Sequence, residues 1–264
     1  MPQTNITFRS HDGTQLAGTL VAPPDAGRAV VLVHGGGVTR TEGGFYVRLA
    51  DALAEAGVAS LRFDLRGHGE SGGRQQDLTL SAAANDVRAA VEEMPAPVTV
   101  IGTSFSGGIC ALVAAAGTPA LRSLVLFNPL LDYKRRFVDE KPYWSADRID
   151  PAYADELDRR GYVEHSPTFR LGRAMLNEVF HLSARDALPR IAVPTLLVHG
   201  TKDTFISVDS SREAVDRLTE STLIEIEGAQ HGFAVHDDPA YAEPQTRAWQ
   251  DLVIRETTEW ITRH

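Results

Sequence analysis

The sequence predicts an α/β chain in which a mostly parallel sheet carries helices on both faces. Two observations support this. After an N-terminal hairpin, short β-branched apolar runs alternate with stretches whose apolar residues recur at helical spacing, the pattern of right-handed βαβ units. His34, Ser104, Asp203 and His231 each fall just after such a run, and open sheets of this kind bind ligands outside the carboxyl ends of their strands. The 264 residues, 43% hydrophobic and 23% charged, suit one large soluble α/β domain or two small ones.

Residues 5–10 and 14–22 read as strands around a His11-Asp12-Gly13 turn. Pro23, Pro24 and Gly27 make a loop before the buried strand 28–33, RAVVLV, which runs into His34-Gly35-Gly36-Gly37. A helix over 44–56 places Phe45, Leu49, Ala50, Leu53 and Ala54 on one face and stops at Gly57. Strand 58–63 ends in Asp64-Leu65-Arg66-Gly67-His68-Gly69-Glu70-Ser71, and 81–94 is helical. The stretch from Val98 to Gly108, VTVIGTSFSGG, then reads as strand, sharp turn and helix start, with Ser104 at the junction. Small residues are required there because backbone passes close to backbone. Gly102, Ser106, Gly107 and Gly108 supply them, with Ser106 as a tolerated replacement for the second glycine of the usual G-x-S-x-G pattern. Strands at 123–128 and 195–199, a helix over 208–218, a strand at 222–226 and a last helix over 245–262 complete the alternation.

Residues 130–190 interrupt it. About 60 residues exceed a simple crossover, so the segment contains its own elements. It holds many aromatic residues and the basic run Lys134-Arg135-Arg136, and is expected to lie as a cap over the strand ends. The expected division is a core of residues 1–130 and 191–264 with a cap of residues 131–190 inserted after the sixth strand. Tyr133, Phe137, Tyr143 and Trp144 are the expected pocket residues, with Gly37 beside them, since ligand pockets are mostly apolar and aromatic.

Composition excludes several classes. A formal net charge of −9 argues against nucleic acid as a partner. No apolar run approaches the roughly 20 residues of a membrane helix, and the N-terminus, MPQTNITFRSHDG, lacks the basic and apolar segments of a signal peptide. The single cysteine, Cys110, allows no internal disulfide and fits a reducing cytoplasm. No metal-ligand set is assigned.

A serine hydroxyl is a weak nucleophile that needs a base in hydrogen-bond reach and a group to orient that base. His231, in a polar, Gly-flanked loop after the last strand, is the expected base. Asp203, directly after the strand at 195–199, is the expected orienting acid, with Asp132 the runner-up. The oxyanion needs preorganised backbone donors. Phe105 N–H opens a helix at the site, and Gly36, with Gly37 as alternative, supplies the second from the loop after Val33.

Over nearly its whole length the chain resembles the α/β-hydrolase superfamily. The resemblance rests on the His34-Gly35 loop, Asp64 to Ser71, the Ser104 elbow, Gly200 to Asp203, Gly228 to Phe233, and the order Ser, Asp, His. It is strongest to the small bacterial esterases that include cinnamoyl and feruloyl esterases, which are similar to S33-type serine peptidases and several thioesterases. The resemblance implies an α/β-hydrolase fold, acyl-transfer chemistry on a small-molecule ester (EC 3.1.1), no cofactor, and a purely structural turn at Asp64 to Ser71. Two other functions stand beside carboxylic-ester hydrolysis. One is a thioesterase, acyltransferase or peptidase acting on a pathway intermediate. The other is a lyase or small-molecule receptor on the same fold.

Overall fold

The computed structural model describes residues 3–95 and 97–264; Met1 and Pro2, the start of the segment read as lacking a signal peptide, lie outside the described residues. Strands β1 (Thr4–Arg9) and β2 (Gln15–Val21) form the expected antiparallel hairpin, and β3 (Arg28–Val33) follows. Helix α1 (Phe45–Glu55), β4 (Val58–Phe63), α2 (Leu80–Glu92), β5 (Val98–Thr103), α3 (Phe105–Ala115) and β6 (Leu121–Phe127) continue the alternation. The sheet has eight strands in the order β1-β2-β4-β3-β5-β6-β11-β12, its last two being β11 (Thr195–Gly200) and β12 (Ser221–Ile226). From β4 to β12 all neighbours pair in parallel, and β2 joins β4 antiparallel.

β4 and β5 flank β3 on opposite sides, so strand order reverses between β3 and β5. Helices following those two strands leave on opposite faces, which opens a crevice at their carboxyl ends. Val33 is in register with Gly102, so the loop that starts at His34 and the turn at Ser104 emerge side by side. β4 and β5 are buried at every position, and burial on both faces explains why β3 between them reads as a nearly continuous apolar run, RAVVLV. One face packs α2 and α3, with Val87, Ala90, Ile109 and Val113 in its core. The other packs α1 and α8 (Pro244–Arg263) through Leu49, Leu53, Val253 and Ile261. Helix α7 (Asp209–Val215) lies between β11 and β12 and ends earlier than its sequence suggests.

Between β6 and β11 lie the two-residue strands β7 (Trp144–Ser145) and β8 (Arg148–Ile149), helix α4 (Pro151–Arg160), the hairpin β9 (Tyr162–Ser166) and β10 (Phe169–Gly172), and the short helices α5 (Arg173–Glu178) and α6 (Ala184–Ala187). Asp150 caps α4 through Ala152 N–H, Pro151 opens it, and Gly161 in the left-handed region ends it, so its limits are written in the sequence. The segment's last stretch returns to the core. Arg185 N–H donates to Leu131 O at 3.1 Å, and Ala184, Leu188 and Ile191 are fully buried in the α2–α3 layer. Among the described residues, no helix is long and apolar enough to cross a membrane.

Candidate active site

Ser104 sits between β5 and α3 at φ +52° and ψ −115°, a backbone conformation that a non-glycine residue adopts only where its surroundings impose it. Its N–H donates to Phe127 O at 2.9 Å, and its O accepts from Gly107 N–H at 3.0 Å and Leu130 N–H at 2.9 Å, which fix the turn from β6 and from α3. A methyl group on Gly102 would come within 2.7 Å of Cys110 Sγ and 2.9 Å of Ser106 O, so the turn closes only with glycine there.

Ser106 does more than the tolerated replacement expected from its size. Fully buried, its hydroxyl accepts from Thr103 N–H at 2.9 Å and lies 2.6 Å from Val33 O and 3.0 Å from Thr103 O. It joins the end of β3 to the end of β5, the two strands that carry the site.

The structure brings Ser104, His231 and Asp203 together. His231 Nε2 is 2.9 Å from Ser104 Oγ, and its Nδ1 is 2.7 Å from Asp203 Oδ2. Two loops create that register. Thr201 Oγ1 accepts from Gly228 N–H at 2.9 Å, and Lys202 N–H donates to Ala229 O at 3.0 Å, tying the loop after β11 to the loop after β12. Asp203 Oδ1 accepts from Phe205 N–H at 2.8 Å and Ile206 N–H at 2.9 Å, and His199 Nε2 lies 3.4 Å from Oδ2. Burial alone would raise the Asp203 pKa. The hydrogen bonds from His199 and His231 outweigh it and hold the carboxyl below the usual carboxylate range. Asp132, the other acid considered, instead accepts Arg135 N–H at 3.0 Å at the start of the insertion.

Of the three glycine amides after His34, two are occupied. Gly35 N–H donates to Glu42 Oε2 at 2.8 Å and Gly37 N–H to His68 Nε2 at 3.3 Å. Among the described residues, the N–H groups of Gly36 and Phe105 have no such partner, so of the three glycines it is Gly36 whose amide is left unpaired. His34 and His68 set the loop. His34 Nδ1 donates to Gly35 O at 2.7 Å and its Nε2 accepts Leu65 N–H at 3.0 Å; His68 Nδ1 donates to Arg66 O at 3.1 Å. Each ring thus uses one nitrogen as donor and one as acceptor, the neutral form. Burial, with the neighbouring His68, pushes His34 down to about 3, and burial lowers His68 as well. The segment from Asp64 to Ser71 is therefore a bracket for the glycine loop. Asp64 accepts Arg40 N–H at 2.7 Å and pairs with the Arg40 side chain.

The four aromatic residues expected in the pocket pack against other rings instead. Tyr133 and Phe137 are each 1% exposed. The Tyr133 hydroxyl donates to Phe105 O at 2.6 Å, and both rings pack on Phe105, so these residues support the elbow from beneath. Tyr143 stacks on Tyr153 at 4.3 Å and Trp144 tilts against Phe180, both inside the insertion. The insertion instead brings Phe169, at the start of β10, onto the glycine loop. Its ring lies 5.0 Å from that of Phe105, and a methyl group on Gly36 would come within 2.9 Å of Phe169 Cε1. Two further neighbours were not singled out. Phe205, 61% exposed, lays its ring 5.4 Å from His231, and His165 packs against Phe137 and Phe169. A cleft of about 300 Å³ runs from Phe205 and Leu130 to Leu188 and Arg217. Among the described residues, no group of three or more His, Cys, Asp or Glu is placed to hold a metal ion.

Fold and comparisons together define an α/β hydrolase, with Ser104 at the turn between β5 and α3. Residues 24–238 match the serine aminopeptidase S33 family, and the chain belongs to that family. It is 28% identical over 265 residues to a monoacylglycerol lipase of Mycolicibacterium smegmatis, covering 89% of this chain and 88% of the relative. It is 24% identical over 241 residues to the non-heme chloroperoxidase CPO-A1 of Kitasatospora aureofaciens, covering 79% and 86%. Among solved structures it is similar to Est1E from Butyrivibrio proteoclasticus with ferulic acid bound, at a TM-score of 0.74 and 21% identity over 96% of this chain and 99% of that one.

Proposed function

We propose that this chain is a serine hydrolase that cleaves a small-molecule carboxylic ester through an acyl-enzyme. The observation that carries this reading is the continuous hydrogen-bonded path from Ser104 Oγ through His231 to Asp203, at 2.9 and 2.7 Å. Ser104 Oγ attacks the acyl carbon while His231 Nε2 takes its proton. The carbonyl oxygen becomes an oxyanion that accepts from the N–H groups of Gly36 and Phe105. Asp203 holds the ring with Nδ1 protonated and stabilises the imidazolium. The C–O bond to the leaving group breaks, and the departing alkoxide takes the proton from Nε2. Water, deprotonated by the same nitrogen, then attacks the acyl carbon and releases the acid and Ser104.

The monoacylglycerol lipase among the similar proteins agrees with an ester substrate. The cleft that starts at Phe205 is the proposed site for one half of it. Its floor includes Leu130, Leu131 and Leu188. Arg135 and Arg136 on its wall pair with Glu140 and Arg185 pairs with Glu213, while Asp132 beside them has no ion-pair partner among the described residues. The insertion, in this reading, is the cap that limits what enters.

The test is steady turnover of p-nitrophenyl butyrate by wild type and Ser104→Ala, beside a matched thioester and a matched amide. Ester turnover that drops on the order of 10³-fold or more in the variant is expected. Equal rates in the two proteins would remove Ser104 from the chemistry, and faster thioester or amide cleavage would reassign the substrate class.

A further inference from the structure

Glu42 is a buried acid that the mechanism above does not use. It lies in the turn between β3 and α1, is 7% exposed, and sits at φ +46° beside Gly43 at +63° and Gly44 at +91°. The turn is tied on both sides. Glu42 N–H donates to Thr39 O at 2.9 Å, and Thr41 O accepts Gly44 N–H at 2.8 Å and Tyr46 N–H at 3.1 Å. Glu42 Oε2 accepts Gly35 N–H at 2.8 Å. Its Oε1 lies 3.5 Å from the point where a Cβ on Gly35 would stand, and Ser104 Cβ lies 3.5 Å from the same point. Gly35 is thus held between the Glu42 carboxyl and the nucleophile turn, one residue before the free N–H of Gly36.

A left-handed backbone and a buried carboxyl both cost stability, so their coincidence at a strand end beside Ser104 points to a task there. Burial pushes Glu42 up to about 7, against the pull of Gly35 N–H and of His231. The titratable groups facing it are His231 from the loop after β12, Tyr46 from α1, and Tyr241 from the chain before α8. Of these, His231 is the one that can carry positive charge.

We propose that Glu42 is a positioning residue of this site: its carboxyl accepts from Gly35 N–H and fixes Gly35 so that Gly36 N–H is presented to the oxyanion. The proposal rests on the reading of Ser104 as nucleophile. It acts through Gly35, setting a geometry that a neutral acceptor can also hold.

Glu42→Gln keeps an acceptor for Gly35 N–H, whereas Glu42→Ala removes it. Hydrolysis of p-nitrophenyl butyrate from pH 5 to 9, thermal melting, and fluorophosphonate labelling of Ser104 are measured on each protein. Glu42→Gln is expected to fold, to keep KM within about twofold and to stay within about fivefold of the wild-type kcat. Glu42→Ala should keep KM, lose about 5–50-fold in kcat and label more slowly. Glu42→Asp, which withdraws the carboxyl by one methylene, carries the test with the same expectation should Glu42→Ala fail to fold. A folded Glu42→Ala or Glu42→Asp with the wild-type kcat would overturn the proposal. So would variants that lose thermal stability while keeping the wild-type rate. Wild type that neither turns over nor labels at Ser104 would overturn the premise itself, a result distinct from normal wild-type labelling with unaltered variants.

Discussion

Replacing Ser106 by alanine should destabilise the protein, although serine there departs from the glycine of the usual turn pattern. The hydroxyl is fully buried and makes three contacts: from Thr103 N–H at 2.9 Å, to Val33 O at 2.6 Å and to Thr103 O at 3.0 Å. Val33 O also accepts from the Tyr46 hydroxyl at 3.0 Å, so it stays satisfied in the variant. The loss is then one donated hydrogen bond, about 1 kcal/mol net, plus desolvation of a Thr103 amide left without this partner, about 1–3 kcal/mol. The sum is about 2–4 kcal/mol, which in a chain of this length lowers Tm by about 4–16 °C. Ser106→Gly loses the same contacts and adds roughly 0.5–1 kcal/mol for glycine in the first turn of a helix. Urea unfolding followed by far-UV circular dichroism reads both. If Ser106→Gly proved as stable as wild type, the hydroxyl would not be the link between β3 and β5 that the distances describe.

Asp203→Asn should fold and lose on the order of 10²–10⁴-fold in kcat, because the amide holds His231 in the wrong tautomer, whereas Asp132→Asn should lose less than about tenfold. The reverse ranking in steady-state assays would move the acid to the end of β6. Phe169→Ala should cost about 3–5 kcal/mol and change the ranking of short, long and aryl esters, while Tyr143→Ala leaves the ranking unchanged. An unchanged ranking in both would take the insertion out of substrate selection. Stability should fall as pH drops below about 6.5. His34 and His165 are held near 3 by burial, so below the unfolded value of 6.5 the unfolded chain binds protons that the folded one refuses. Each such histidine costs about 1.4 kcal/mol per pH unit. Glu42, raised to about 7, works in the opposite direction between its unfolded value of 4.5 and 7, and offsets one of them. Urea midpoints at pH 7.5, 6 and 5 should therefore decrease in that order, and a midpoint that is constant or rises toward pH 5 would contradict the neutral, buried assignment of these rings.

The parts of the site that were legible in the sequence are those set by backbone topology. The end of a strand fixes where the next loop emerges, so Ser104, Asp203, His231 and the Gly36 loop could be placed from apolar runs and glycine spacing alone. The choice between Asp203 and Asp132 is ranked but not decided by the sequence, since both come after strands. It depends on the bonds from Thr201 and Lys202 that join two loops distant in sequence. The aromatic content of the insertion announced a packed layer without saying which ring faces where. Tyr133 and Phe137 turn inward to Phe105, and the residue that reaches Gly36 is Phe169, at the start of β10 in a hairpin that has no turn glycine to advertise it. Ser106 and Glu42 were opaque for a shared reason. A small polar residue at a turn and an acid in a loop look solvated until burial and partners are known.

The central claim is that Ser104 is an activated nucleophile, and active-site labelling tests it most directly. Wild-type protein is treated with a fluorophosphonate probe at pH 8, and the adduct is located by peptide mass mapping, with His231→Ala as the control. The geometry predicts one covalent adduct, on Ser104, formed at least about 10²-fold more slowly when His231 is absent. An adduct on another serine, or labelling of Ser104 at the same rate without His231, would contradict it.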